Sequence, residues 1–160
     1  VPDDENDGVA IRERLDADAW RYVVWSEGGF PDEHTQVLLA DTRGEMGLWY
    51  RIAPITLMAT SLVSGCRGKD PFEPATLGSA ILYGPNAGQY LGAYKRFANA
   101  GAARIVKDAE TLGAAVSRLI APDQSAAMAL AAWEVASQGA EVTDLVLELV
   151  HEALDTAGTT

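Results

Sequence analysis

The chain carries one cysteine, Cys66, and two histidines, His34 and His151, among its 160 residues. A lone cysteine excludes an internal disulfide and every multi-cysteine zinc site; it fits a reducing compartment, and Cys66 reads as an ordinary small side chain. The histidines lie far apart with no ligand-spaced neighbours, so no metal site is expected. Basic residues are scarce: 12 Lys and Arg face 23 Asp and Glu, for a formal net charge of -11. Such a chain repels phosphate backbones, and nucleic acid is not expected as a partner. The glycine loop Gly-x-Gly-x-x-Gly, the Walker loop, the Gly-x-Ser-x-Gly elbow and His-Glu-x-x-His are all missing, which removes sequence support for dehydrogenase, ATPase, hydrolase and zinc-protease readings. Long apolar runs are missing too. The acidic start, Val1 to Gly8, is unlike a signal peptide, and the most apolar stretch, Ala114 to Trp133, is interrupted by Arg118, Pro122 and Asp123, so these residues are expected to be soluble.

What is present is one domain's worth of material, 48% hydrophobic, enough to bury a core. Its charge is uneven. Residues 1–45 hold twelve acids against four bases, while residues 61–107 hold two acids against six bases. An anionic ligand therefore favours the middle of the chain.

Periodicity predicts alternating elements. A helix over Asp7 to Asp16 precedes a strand at Tyr22 to Trp25. Gln36 to Ala40 is a short apolar strand, followed by a helix from Glu45 to Ile52 that Pro54 stops. Ile55 to Thr60 and Ala80 to Tyr83 are further apolar runs of strand length. A short helix begins at Pro71, another spans Gln89 to Asn99, and Arg104 to Val106 is the last strand. Asp108 and Asp123 are placed as N-caps of two final helices separated by Pro122. On the last helix Val142, Leu145, Val146, Leu149, Val150 and Leu154 share one face, expected to pack on the body. The class expected is α/β: a Rossmann-like parallel sheet with helices on both faces. One domain over residues 1–156 and a tail at 157–160 are expected, with a first strand missing ahead of Val1.

In such folds ligands bind beyond the carboxyl ends of the strands, so three loops are the candidates. In Asp41-Thr42-Arg43-Gly44-Glu45, a strand end meets a helix start whose free N–H groups favour an anion. The same spacing is that of a Thr-x-x-Glu capping box, which would only start the helix. In the loop Gly65 to Ala75, glycines allow close approach, Lys69 supplies a cation, and Glu73 could accept hydrogen bonds from a ribose diol. Asp70, Pro71 and Glu73 equally spell a plain helix start. In Gly84-Pro85-Asn86-Ala87-Gly88, Asn86 is either a ligand contact or part of a simple turn. Trp49 and Tyr50 read as core.

At these loops the chain resembles the 3-deoxy-D-manno-octulosonic acid (Kdo) transferases. That family carries a strand followed by Asp-Thr-x-Gly-Glu-Leu, then Gly-Ser-Leu-Val, then His-Asn-Pro-Leu-Glu-Pro-Ala and a Gly-Pro-His turn. The counterparts are the string from Ala40 to Tyr50, that from Thr60 to Gly78, and that from Tyr83 to Tyr90, with the likeness running in order from Pro2 to about Leu154. The resemblance implies the C-terminal, donor-binding half of a GT-B glycosyltransferase that takes Kdo from CMP-Kdo to a lipid A precursor in lipopolysaccharide biosynthesis. It implies that Gly44, Glu45, Met46, Lys69, Asp70, Glu73 and Asn86 face the nucleotide sugar, without cofactor or metal. The acceptor, and any membrane contact at the cytoplasmic face of the bacterial inner membrane, would come through an N-terminal domain that nothing here matches. That domain carries the family's catalytic glutamate, so no catalytic residue is expected among these 160 and turnover by them alone is not expected. Three departures stand out: Pro-Arg-His becomes Pro2-Asp3-Asp4, His-Asn becomes Lys69-Asp70, and Gly-Pro-His becomes Gly84-Pro85-Asn86. They leave room for a degenerate, non-catalytic paralogue. A UDP-sugar-dependent GT-B enzyme is the other alternative, because a Glu-Pro string after a glycine-rich loop is not unique to Kdo chemistry.

Overall fold

A computed structural model of the chain describes residues 1–2, 4–65 and 68–157. Asp3, Cys66, Arg67 and, beyond Ala157, the expected tail lie outside the described residues. By its packing the chain divides into two compact units, Val1–Met46 and Gly47–Thr160. Each holds a parallel sheet of its own.

In the first unit α1 (Glu5–Ala17) precedes β1 (Tyr22–Val24) and β2 (Val37–Leu39). The strands pair in parallel, with Tyr22 opposite Val37 and Val24 opposite Leu39. Both are short because the chain turns at once: Trp25–Glu27 coils into a 3-10 turn after β1. Trp25 therefore leaves the strand that its aromatic character suggested. Val24 and Leu39 are buried at the strand ends, and Arg12 ties α1 to the segments beyond both strands. Its guanidinium donates to Glu27 at 2.7 Å and lies 3.6 Å from Asp41.

Helix α2 (Met46–Ile52) spans the division between the units and ends ahead of Pro54, whose ring disfavours helical backbone at Ala53. In the second unit β3 (Ile55–Met58), β4 (Ala80–Tyr83) and β5 (Ala103–Ile105) form a parallel sheet in that order. The crossovers are α3 (Phe72–Thr76) and α4 (Leu91–Asn99), the latter entered through a 3-10 turn at Gly88–Tyr90; α5 (Ala109–Leu119) and α6 (Pro122–Ala157) follow. Strand β4 is central and all four of its residues are buried. Successive side chains on a strand point to opposite faces. Ile81 and Tyr83 accordingly join Ala75 of α3, Tyr94 and Phe97 of α4, and Ala132 and Val135 of α6. Leu82 points the other way, into a cluster with Val106, Ala115 and Leu119 backed by α5. Burial on both faces is why β4 reads as an unbroken apolar run rather than an alternating one. The expected class, parallel strands flanked by helices, is the observed one.

Several boundaries differ from expectation for local reasons. Thr60 belongs to a 3-10 turn, Ala59–Leu62, not to β3. Asp108 is the N-cap expected, its carboxylate accepting the Thr111 N–H at 2.8 Å in a full capping box. Asp123 is not a cap: α6 begins at Pro122, and the Ala121 carbonyl accepts the N–H groups of Gln124 and Ser125. Pro at the first helical position needs no amide partner. The larger correction concerns the end of α6. Its opening turns bury Ala132, Val135 and Ala136, but Val146, Leu149, Val150 and Leu154 are 47–63% exposed rather than packed on the body. The side chains of Val142 and Leu145 lie outside the described residues.

Because Leu82 is fully buried at the centre of the sheet, Leu82→Ala is expected to lower unfolding free energy by about 3 kcal/mol. Urea denaturation followed by circular dichroism measures this.

Candidate functional site

The candidate residues fall in both units. In the first, the chain leaves β2 through Ala40 and Asp41. Ser26 fixes Asp41 twice, by its N–H at 3.0 Å and its hydroxyl at 2.7 Å. Burial alone would raise the Asp41 carboxyl, but the Ser26 bonds and the Arg12 cation outweigh it and hold the group below the ordinary value of 3.8. Asp41 thus anchors the turn that follows. Thr42 and Glu45 do meet, though not as a capping box: the Thr42 hydroxyl donates to Glu45 Oε2, which also accepts the Trp25 indole N–H at 3.0 Å. Gly44, at φ 81°, is exposed at the tip of the turn, and Met46 opens α2 half-buried.

In the second unit two loops leave the carboxyl ends of β3 and β4, and their backbones touch at two places. Ser61, fully buried after β3, donates its hydroxyl to the Met58 carbonyl and accepts the Gly84 N–H at 2.6 Å on the same oxygen. The Ser61 carbonyl accepts the Asn86 N–H at 2.8 Å. A side chain on Gly84 would lie on the Ser61 carbonyl and 2.7 Å from the Leu62 nitrogen, closer than real Cβ atoms come. Further along, Gly68 sits at φ 75°, where a side chain would meet the Ala87 carbonyl and lie 2.7 Å from its carbon. The glycine freedom expected to admit a ligand is therefore used, at Gly68 and Gly84, to press one loop against the other.

Those contacts bring Lys69 and Asn86 to either side of one backbone contact, since Lys69 follows Gly68 and Asn86 precedes Ala87. Lys69 is exposed and Asn86 half-buried. Asp70 caps α3 from outside, its carboxylate accepting the Phe72 N–H at 2.9 Å. The Phe72 amide at this helix start is thus engaged within the chain. Glu73 is exposed in the first turn of α3. Trp49 and Tyr50 are buried, as read from the sequence.

Sequence reasoning missed three contributors. Trp25 reads from sequence as part of a strand, and Ser61 stands out in the sequence only within the Thr60 to Gly78 string. Tyr94, fully buried in α4, carries no sequence signal of a site, yet its hydroxyl donates to the Lys69 carbonyl at 3.0 Å. The available signal was the pairing of a small hydroxyl residue just past β3 with a glycine just past β4.

No family model matches the chain. It is 34% identical over 131 residues to 3-deoxy-D-manno-octulosonic acid transferase of Bordetella pertussis, covering 79% of this chain and 30% of that protein. The chain is a homologue of the Kdo transferases. A second such transferase, from Haemophilus influenzae, is 24% identical over 147 residues, or 91% of this chain and 34% of its own length. The chain thus spans about a third of the curated Kdo transferases it matches. Among solved structures, the C-terminal CMP-Kdo binding domain of WaaA from Acinetobacter baumannii superposes with a TM-score of 0.79 at 24% identity, covering 84% of this chain and 70% of that one. The Kdo-transferase homologue has the fold of that domain.

Two outcomes are expected. Gly84→Ala is expected to lower stability by about 2 kcal/mol, with amide shifts at Ser61 and Asn86, because the Ser61 backbone must give way; thermal melting and NMR measure both. Asp41, depressed in the folded chain, stabilises it at pH above the ordinary carboxylate value of 3.8. That contribution fades as pH falls through the folded pKa. Ser26→Ala is expected to move the Asp41 carboxyl upward in a carbon-13 titration and to start acid unfolding at higher pH.

Proposed function

We propose that this chain, residues 1–156 acting as one domain, binds CMP-Kdo as the donor-binding part of a Kdo transferase. The observation that carries the reading is the loop pair beyond β3 and β4, locked backbone to backbone, in a fold that superposes on a CMP-Kdo binding domain. Loops at the carboxyl ends of parallel strands whose backbones already meet hold their polar groups at a reduced ordering cost on binding. Lys69 faces the donor's phosphate, and Asn86 adds a neutral hydrogen-bonding group. Glu73 accepts from hydroxyls of the ribose or sugar. Gly44, Glu45 and Met46 take the nucleotide by backbone and carboxylate, with Trp25 and Thr42 holding the Glu45 carboxylate in a fixed orientation. Asp70 meets the nucleotide sugar from the start of α3, where one of its carboxylate oxygens accepts the Phe72 N–H.

Within a longer protein the donor bound here would pass Kdo to a lipid A precursor at the cytoplasmic face of the inner membrane. These residues supply the binding and not the catalytic base, so turnover by them alone is not expected. Among the described residues no helix is long and apolar enough to cross a membrane. One observation favours the second reading, a non-catalytic paralogue: an acidic group at Asp70 occupies the start of α3, where it repels a phosphate.

A heteronuclear NMR titration with CMP separates the two. CMP is expected to shift the amides of Gly44, Lys69 and Glu73, with weaker binding as salt rises. Lys69→Ala is expected to weaken it about threefold, as for an exposed ion pair. Silence at all three residues in millimolar CMP would sink the donor reading, and UDP binding more tightly than CMP would replace it with another nucleotide sugar.

A further inference from the structure

Lys69, an exposed residue assigned to the donor, sits in the stretch 68–70 ahead of α3, which forms neither helix nor strand. What fixes that stretch lies beneath it. Tyr94 projects from α4 into the core and is fully buried. Its ring stacks on Tyr83, the last residue of β4, at 4.4 Å between centroids and 25° between planes. Its hydroxyl reaches the main chain of the loop and donates to the Lys69 carbonyl at 3.0 Å. Burial, first of all, raises the phenol, so it stays protonated and remains a donor at any working pH. One side chain therefore supports both loops: the ring braces the strand end that leads into Gly84, Pro85 and Asn86, and the hydroxyl holds the residue that follows Gly68.

We infer that Tyr94 is a positioning residue for donor binding, acting through its hydrogen bond to the Lys69 carbonyl and touching no ligand itself. The ligand half of this inference rests on the donor-binding reading; the loop half does not. Tyr94→Phe removes the hydroxyl alone and keeps the ring stack and the core volume, so the variant is expected to fold. A lost hydrogen bond of ordinary strength corresponds to about a fivefold change in an equilibrium.

Ser79→Ala provides the control for stability. Ser79 is buried at the amino end of β4, away from the loops, where its hydroxyl donates to the Ala53 carbonyl and meets the Thr56 hydroxyl, both at 2.7 Å. It removes hydrogen bonds of the same kind at the opposite end of the same strand.

The experiment measures amide hydrogen exchange at Gly68 and Lys69 without ligand, and CMP affinity by calorimetry, in the wild-type chain and both variants well below their melting points. Tyr94→Phe is expected to speed exchange at those amides and to weaken CMP binding, each about fivefold. Ser79→Ala is expected to lower the melting point and leave exchange at the loop and CMP affinity at wild-type values. Unchanged exchange in Tyr94→Phe overturns the inference even where CMP binds. Equal effects from both variants overturn it as well, by reducing Tyr94 to a stability residue. A wild-type chain that binds no CMP overturns the donor reading and the ligand half with it; the exchange comparison then decides the loop half by itself.

Discussion

The second unit depends on a close approach of peptide groups. Two loops that leave neighbouring parallel strands press their backbones together at Gly84 against Ser61 and at Gly68 against Ala87, distances that admit no Cβ. Packing main chain on main chain takes polar groups out of water, which is tolerable only if their hydrogen bonds are made. Ser61 makes them, with a hydroxyl that serves both the Met58 carbonyl and the Gly84 amide. Glycine gives the space and serine gives the bonds. Neither would suffice alone.

What is proposed for ligand recognition in the second unit stands on that contact. Lys69 and Asn86 come near one another only because the residues beside them, Gly68 and Ala87, touch. Beneath, the two-sided burial of β4 fixes where Tyr83 ends and so where the turn begins. Ile81 and Tyr83 face the cluster shared with α3, α4 and α6, while Leu82 faces the one backed by α5. The first unit uses charge for the same purpose. Arg12, Asp41 and Ser26 hold the turn after β2 in place, and Glu45 is braced by Trp25 and Thr42.

The fold class was legible because short, wholly apolar strands alternating with helices have few other solutions. Ala80 to Tyr83 was located to the residue, since burial on both faces leaves no polar position to blur its limits. Thr60 and Trp25 were misplaced by one state: each continues an apolar run in sequence, yet each sits where the chain turns out of the sheet. The candidate loops were legible from glycine spacing, but the use of those glycines was not. A glycine that admits a ligand and one that admits a neighbouring carbonyl carry the same letter. Tyr94 was invisible for a related reason, because an aromatic residue on a helix reads as core, and it is core, with one polar atom that reaches out of it. The packing expected along the last helix failed in its distal turns. A shared apolar face shows that a helix can be covered; it does not show that anything covers it.

That uneven helix bears on how the molecule melts. Among the described side chains, α6 interlocks with the sheet through Ala132, Val135 and Ala136 in its first half, while from Val146 onward its large apolar side chains stand about half or more in water. Helical turns with so much exposed apolar surface are held mainly by their own backbone ladder, which opens at a lower free energy than the packed turns. Ellipticity will then drop gradually on warming before the cooperative transition of the sheet, so the two signals will not coincide, and a two-state fit to helical signal alone will underestimate the enthalpy of the core.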